Sequence, residues 1–248
     1  MKKIDINCDM GESFGQFKIG NDEALFPYIQ SCNIACGFHG GDPFHIEKTI
    51  KNTLKYQLKI GAHPSYPDLA GFGRRKMVLN KAELTAILKY QIAAVKGMTE
   101  SLGGRLSYVK PHGALYNTAA NDEEETLAIM AAVHAIDPNL KLMGLAGSLT
   151  EDMAAQRGFP FIAEAFGDRK YTDERRLMSR KKTGAVIENV EEAVAQIWSI
   201  SQKNQVISEH GKVLPIVAQS ICIHGDNVAA LSILQALEEK ITANTHLK

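Results

Sequence analysis

Short apolar runs alternate along this chain with longer amphipathic stretches. The runs at 3–7, 31–35, 58–62, 106–110, 140–144, 161–165 and 220–223 are too short for helices and mostly too rich in β-branched residues, so they predict seven strands. In the stretch after the second run, Ile46, Ile50 and Leu54 recur at helical spacing; after the last run Val228, Leu231, Leu234, Leu237 and Ile241 do the same. Each set predicts a helix with one apolar stripe turned to a sheet. Start signals sharpen the helices: Asp42 followed by Pro43, and the capping-box pairs Asn80 with Glu83, Asn121 with Glu124, and Ser148 with Glu151. Gly103, Gly104 and Gly158 stand where helices should stop, since glycine enters the left-handed conformation without strain. A strand-and-helix alternation of this kind builds a parallel sheet covered by helices, and the fold class expected is α/β, a seven-stranded (β/α) barrel.

Two stretches break the rhythm. Residues 63–80 are rich in glycine and proline, and residues 166–184 carry seven lysines and arginines with little apolar periodicity. Both read as long loops on a functional face. Segments 206–207 and 213–217 predict a β-hairpin ahead of the last barrel strand.

At 248 residues the chain suits one barrel, and a single domain over 1–248 is expected. Lysine plus arginine number 28 against 28 acidic residues, which argues against nucleic acid, an anionic membrane or a strongly acidic partner and favours a small or mixed-charge ligand. Cys8, Cys32, Cys36 and Cys222 lie in or beside apolar runs without CxxC spacing, so they read as reduced and mostly structural. The opening residues turn polar at once and no apolar run approaches membrane-spanning length, so the expected location is cytoplasmic.

The chemistry collects at one end of the predicted strands. Asp9 and Glu12 follow the first, His39 and Asp42 the second, His63 the third; Lys110 and His112 close the fourth; Glu164, Asp168 and Arg169 follow the sixth, His224 and Asp226 the seventh. Barrel enzymes place their active sites at this C-terminal rim. Asp5, Asn7 and Asp9 alternate with apolar residues and so share the inward face of the first strand, either as a hydrogen-bonded barrel layer or, for Asp9, as a ligand or base near the mouth. Glu12 after Gly11 suits a backbone cap as well as a substrate contact. Asp9, His39 and His63 together could ligate a divalent transition metal, the alternative being a metal-free polar site. Arg74 and Arg75 sit on a glycine-rich turn suited to gripping a carboxylate or phosphate, the alternative being a solvated basic loop. Lys110 ends an inward strand, where it can hold an anion or a developing oxyanion. Arg169 is the preferred anion contact in the sixth loop, with Lys170, Arg175, Arg176 and Arg180 beside it. No GxxxxGK[ST], GxGxxG or GxSxG pattern occurs.

Read in order, several blocks resemble the LamB/YcsF family: Asp5-Ile-Asn-Cys-Asp-Met-Gly-Glu12, Asn33-Ile-Ala-Cys-Gly-Phe-His-Gly-Gly-Asp-Pro43, Gly61-Ala-His-Pro-Ser-Tyr-Pro-Asp68, Gly71-Phe-Gly-Arg-Arg75, Val109-Lys-Pro-His-Gly-Ala-Leu-Tyr-Asn117 and Ile221-Cys-Ile-His-Gly-Asp-Asn227. They cover essentially the whole chain. Gly40 and Gly167 stand where alanine is usual in that family, and Leu177-Met-Ser-Arg180 is a variant of its block. The resemblance implies a barrel similar to the glycoside hydrolase/deacetylase fold. It also implies the role of the A component of a bacterial-type 5-oxoprolinase, working with subunits B and C, which converts 5-oxoproline, ATP and water to L-glutamate, ADP and phosphate, ATP being used with magnesium.

On that reading Asp9, His39, His63, Lys110 and His112 are the catalytic candidates, with Lys110, Arg74 or Arg75 holding the carboxylate or phosphate. Glu12, Glu164, Asp168, Arg169, His224 and Asp226 complete the substrate-binding set. Two rival expectations remain: a metal-dependent amide hydrolase or carbohydrate deacetylase, and a non-catalytic substrate-binding subunit.

Overall fold

The computed structural model describes residues 5–245. Its strands are β1 (Ile6–Met10), β2 (Ser31–Ala35), β3 (Lys59–His63), β4 (Leu106–Val109), β5 (Lys141–Leu145), β6 (Phe161–Phe166), β7 (Gln205–Ile207), β8 (Val213–Pro215) and β9 (Ser220–Cys222). Among the described residues, β1 to β6 and β9 pair in that order, all parallel, and β9 returns to β1 to close a seven-stranded barrel. β7 and β8 form the expected antiparallel hairpin outside it.

Most boundaries fall within a residue or two of those the sequence predicts. The first strand differs more: Lys3 and Ile4 lie outside the described residues, and β1 runs on to Met10, so Asp9 sits within the strand. Both faces of β1 are buried, with Cys8 and Met10 outward against the helices and Asn7 and Asp9 inward, so neither face gives the chain a reason to leave the sheet early.

The helices begin where the capping signals put them, with one exception. Asp42 accepts from the backbone N–H groups of Phe44 and His45, Asn80 from Glu83 and Ser148 from Glu151. The helix Glu123–Ile136 is capped by Asp122 rather than Asn121, because Asn121 is still bonded back to Thr118 in the turn that ends the preceding helix. The last helix, Ala230–Thr245, buries Ala230, Ile233, Leu234 and Leu237. Val228 precedes it and stands exposed, so the predicted stripe starts too early. All four cysteines are free and buried. Among the described residues, no helix is long and apolar enough to cross a membrane.

The inside of the barrel is polar along its axis. At the bottom, Ser31 and Ser220 donate to Asp5, which also pairs with Lys59. Above them Asn7 donates to Ser220, Asn33 donates to both Asn7 and Asp9, and the Tyr108 hydroxyl donates to Asn33 at 2.5 Å. The Tyr108 ring crosses the barrel over Gly61 of β3, where any Cβ would overlap it. Glycine at 61 is therefore what admits the ring.

Candidate active site at the barrel mouth

The column of polar groups ends at the C-terminal rim in a cavity of about 570 Å³. Asp9, His63, Lys110, His112 and His224 form its floor, while Arg74, Arg75, Arg169, Arg176, Arg180 and Lys181 bring cationic heads to its walls, with Tyr116, Phe166 and Met178 between. Such a space, partly apolar with few convergent polar groups, is the usual form of a small-molecule site.

Lys110 is the pivot of the floor. Its ammonium donates to Asp9 at 2.9 Å, to Asn7 at 3.2 Å and to the Cys222 sulfur at 3.2 Å, and it lies 2.8 Å from Glu164. Burial alone would lower its pKa, but Asp9, then Cys222 and Glu164, outweigh burial and hold it well above the usual lysine range. Burial likewise pushes Asp9 up, and the charges of His63 and Lys110 together overcome it, keeping the carboxylate well below its ordinary value. A lysine held this way is a fixed cation, suited to stabilising an anion and unsuited to acting as a base or nucleophile.

Beside this pair lie three imidazoles and a carboxylate. His63 Nδ1 bonds the Lys110 carbonyl oxygen at 2.6 Å, while its Nε2 faces His112 Nδ1 at 3.0 Å and Asp9 at 3.3 Å. His112 Nε2 bonds the Phe72 carbonyl oxygen at 2.9 Å. His39 stacks on His112 with ring centres 3.7 Å apart, and its Nε2 lies 3.0 Å from Glu12, which is 3.5 Å from His112. Burial first, then the neighbouring His39 and His63, hold His112 well below its usual pKa; burial also lowers that of His39. Glu12, His39, His63 and His112 offer one ligand atom each, all within 4.8 Å of one another, a buried set able to hold a metal ion. The structure thus groups His39 and His63 with Glu12 and His112, and places Asp9 with Cys222 and His224.

The loop 71–75 fits over these rings. Gly73, at φ +64°, packs so tightly against His39 and His112 that a Cβ would strike both. Its carbonyl accepts from Ala114, fixing the start of the helix Gly113–Ala119 under His112.

On the opposite side of the mouth, His224 makes two contacts with Asp168: its backbone N–H donates at 3.0 Å and its ring Nδ1 lies 2.8 Å from the carboxylate. Asp168 accepts a further bond from Asn227. Burial raises the Asp168 pKa, and His224 with these bonds brings it below the ordinary value. Because a carboxylate only accepts, the His224 Nδ1 carries the proton.

The remaining predicted residues sit further from the floor. Arg74 pairs with Asp226 at 2.6 Å and Arg180 reaches the same carboxylate at 3.4 Å, tying the loops after β3, β6 and β9 together. Arg75 pairs with Asp68, which also shapes the turn by accepting from Gly71. Arg169 is buried and donates to the carbonyls of Met178 and Ala185, so it organises its own loop as well as lining the cavity; burial lowers its pKa to about 10. Glu164 and Asp168 lie behind Lys110 and His224 and are absent from the cavity wall. Sequence reasoning missed Phe72, whose contribution is a carbonyl oxygen, and Asn33 and Tyr108, which read as ordinary strand residues.

A family model described as the LamB/YcsF family matches residues 4–247. The A component of a 5-oxoprolinase from Acinetobacter baylyi is 46% identical over 239 residues, covering 96% of this chain and 94% of the relative. A second 5-oxoprolinase A component, from Agrobacterium fabrum, is 43% identical over 244 residues, covering 98% and 96%. The crystal structure of a lactam utilization protein from Thermus thermophilus superposes with a TM-score of 0.89 at 38% identity, covering 96% of this chain and 97% of that one.

Proposed function

The chain belongs to the LamB/YcsF family, and on that premise we propose that it serves as the A component of an ATP-dependent 5-oxoprolinase, opening 5-oxoproline to L-glutamate together with subunits B and C while ATP and magnesium supply the drive. The observation that carries this reading is the barrel mouth itself: a cationic wall above a floor where Lys110, Asp9 and three histidines converge. The names of its relatives agree with it.

5-Oxoproline has a carboxylate and a lactam carbonyl on one small ring, and the mouth offers a partner for each. Arg74 and Arg180, held by Asp226, would receive the carboxylate. Lys110, a permanent cation, would face the carbonyl oxygen as it gains charge. Opening the ring needs one water at the carbonyl carbon and a proton on the leaving nitrogen. His112, kept neutral, can accept a proton, and His224, oriented by Asp168, can pass one. Phosphorylation of the carbonyl oxygen by ATP would make that carbon electrophilic, and a second water would release phosphate, so that one ATP and two waters balance glutamate, ADP and phosphate.

Glutamate release from 5-oxoproline by the purified chain, with and without its B and C partners and with and without ATP and magnesium, tests the reading. ATP-dependent release by the full mixture, abolished by Lys110→Ala, is the expected result. If ATP turnover by the mixture survives that substitution while 5-oxoproline binding is lost, the chain is a binding subunit. If a folded mixture releases none, and this chain alone cleaves an amide or an N-acetyl sugar, the hydrolase reading replaces it.

A further inference from the structure

Four acceptors crowd an ammonium that has three hydrogens. Lys110 Nζ makes hydrogen bonds to Asp9 at 2.9 Å, to Asn7 at 3.2 Å and to the Cys222 sulfur at 3.2 Å, which engages all three of its N–H groups. Glu164 lies closest of all, at 2.8 Å, yet that contact is an ion pair without hydrogen-bond geometry: both carboxylate oxygens are buried and neither has a hydrogen-bond partner. Buried polar atoms ordinarily have one. Asn7 and Asp9 each accept a second bond, from Asn33, so Glu164 is the member of the group left short.

An unused donor stands beside it. Tyr116 belongs to the helix Gly113–Ala119 and lines the cavity, and its buried hydroxyl also has no hydrogen-bond partner. Its ring meets Phe166 edge to face with centres 5.7 Å apart, and the Lys110 ammonium lies 5.5 Å from the centre of the same Phe166 ring, so the three residues share one corner of the mouth. Burial first, then the neighbouring Glu164 charge, hold the phenol well above its usual pKa, and it stays a neutral O–H next to a carboxylate. A hydroxyl hydrogen rotates to suit its acceptor.

We propose that Tyr116 is a positioning residue that works through Glu164: its hydroxyl donates to that carboxylate, so Glu164 does not draw an N–H of Lys110 to itself and the ammonium remains able to serve a ligand. The N–H on the Cys222 sulfur, the weakest of the three acceptors, is the one that turns to the lactam oxygen. The identity of that ligand rests on the oxoprolinase reading, whereas the pairing of Tyr116 with Glu164 does not.

Tyr116→Phe keeps the ring and removes the hydroxyl. In the purified full chain, labelled with ¹³C at the glutamate carboxylates, the infrared difference between wild type and Tyr116→Phe should show one glutamate carboxylate stretch shifted by the loss of a donor. In the mixture with subunits B and C, the substitution should lower kcat about 10-fold and leave KM within about twofold, because the effect falls on Lys110 as the carbonyl oxygen gains charge. In a Glu164→Gln background the further loss should be under about twofold, the two residues acting as one unit. Thermal melting establishes that each variant is folded; if Glu164→Gln is not, the spectrum and the split between kcat and KM decide without it. An unshifted carboxylate band, an unchanged kcat, or equal losses in both backgrounds overturns the proposal. A shifted band in a chain whose full wild-type mixture releases no glutamate sinks the oxoprolinase reading instead and leaves the Tyr116 and Glu164 pairing standing.

Discussion

Lys110 reaches its place because β4 ends with its side chain pointing inward, between carboxylates from β1 and β6. Removing a buried charge leaves its partners unpaired, so Lys110→Met should cost about 3–5 kcal/mol in urea unfolding. At saturating substrate it should lower glutamate release roughly 10²–10³-fold, the scale for losing a group that stabilises an oxyanion. Retention of full turnover would remove Lys110 from the chemistry. Asp22 presents the opposite case. Burial first, with Glu12 adding to it, raises its pKa to about 6 although the Gly11 N–H bond pulls it down. The folded chain therefore holds this proton more tightly than the unfolded one, where the value is about 3.9. Stability contributed here is complete below about pH 4 and is lost as pH rises through 6. Asp22→Asn should raise the melting temperature at pH 8, by an amount corresponding to up to about 3 kcal/mol, and leave it unchanged at pH 4. Equal shifts at both pH values would show that the carboxylate's charge is not what costs stability.

Strands β3 and β4 illustrate how an element depends on a missing side chain. Gly61 lies opposite Tyr108, and their register slips by one residue just before this pair. The slip and the absent Cβ together let the Tyr108 ring lie across the barrel and bond Asn33. Gly61→Ala should therefore destabilise by about 1–3 kcal/mol, the range for overpacking a tight core. The same substitution should cost less in a Tyr108→Leu background, as chemical denaturation of the four chains would reveal; additive costs would mean that the two residues are not coupled. At this scale the sequence was informative about strands and caps, because both depend on neighbours within a few positions. It misplaced the cap of Glu123–Ile136 by one residue and began the last apolar stripe at Val228, since each depends on where the previous turn lets go.

Across the whole molecule, the barrel and its chemical rim were legible because alternation and loop position are one-dimensional signals. The arrangement inside the rim was not. That His39 joins His63 and His112 while Asp9 turns to Lys110 depends on which loop folds over which ring, and the loop 71–75 does so through a backbone carbonyl that has no signature in the sequence. Arg74, Arg75 and Arg169 were expected to grip a ligand, yet each already has protein partners, so the cationic wall is partly engaged in holding its own loops. The polar column running from Asp5 to Asp9 has a further consequence, for descent rather than for catalysis. Each member donates to or accepts from the next, Ser220 to Asp5, Asn7 to Ser220, Asn33 to Asn7 and Asp9. A lone change at Asn7, Asn33 or Ser220, the fully buried middle of the column, strands a neighbour's hydrogen-bonding group out of reach of water. Lineages can therefore drift freely in the outer helices, whereas the interior can change only by concerted exchange of several residues drawn from different strands. A strand transplanted singly from a diverged homologue would arrive speaking to partners that no longer answer.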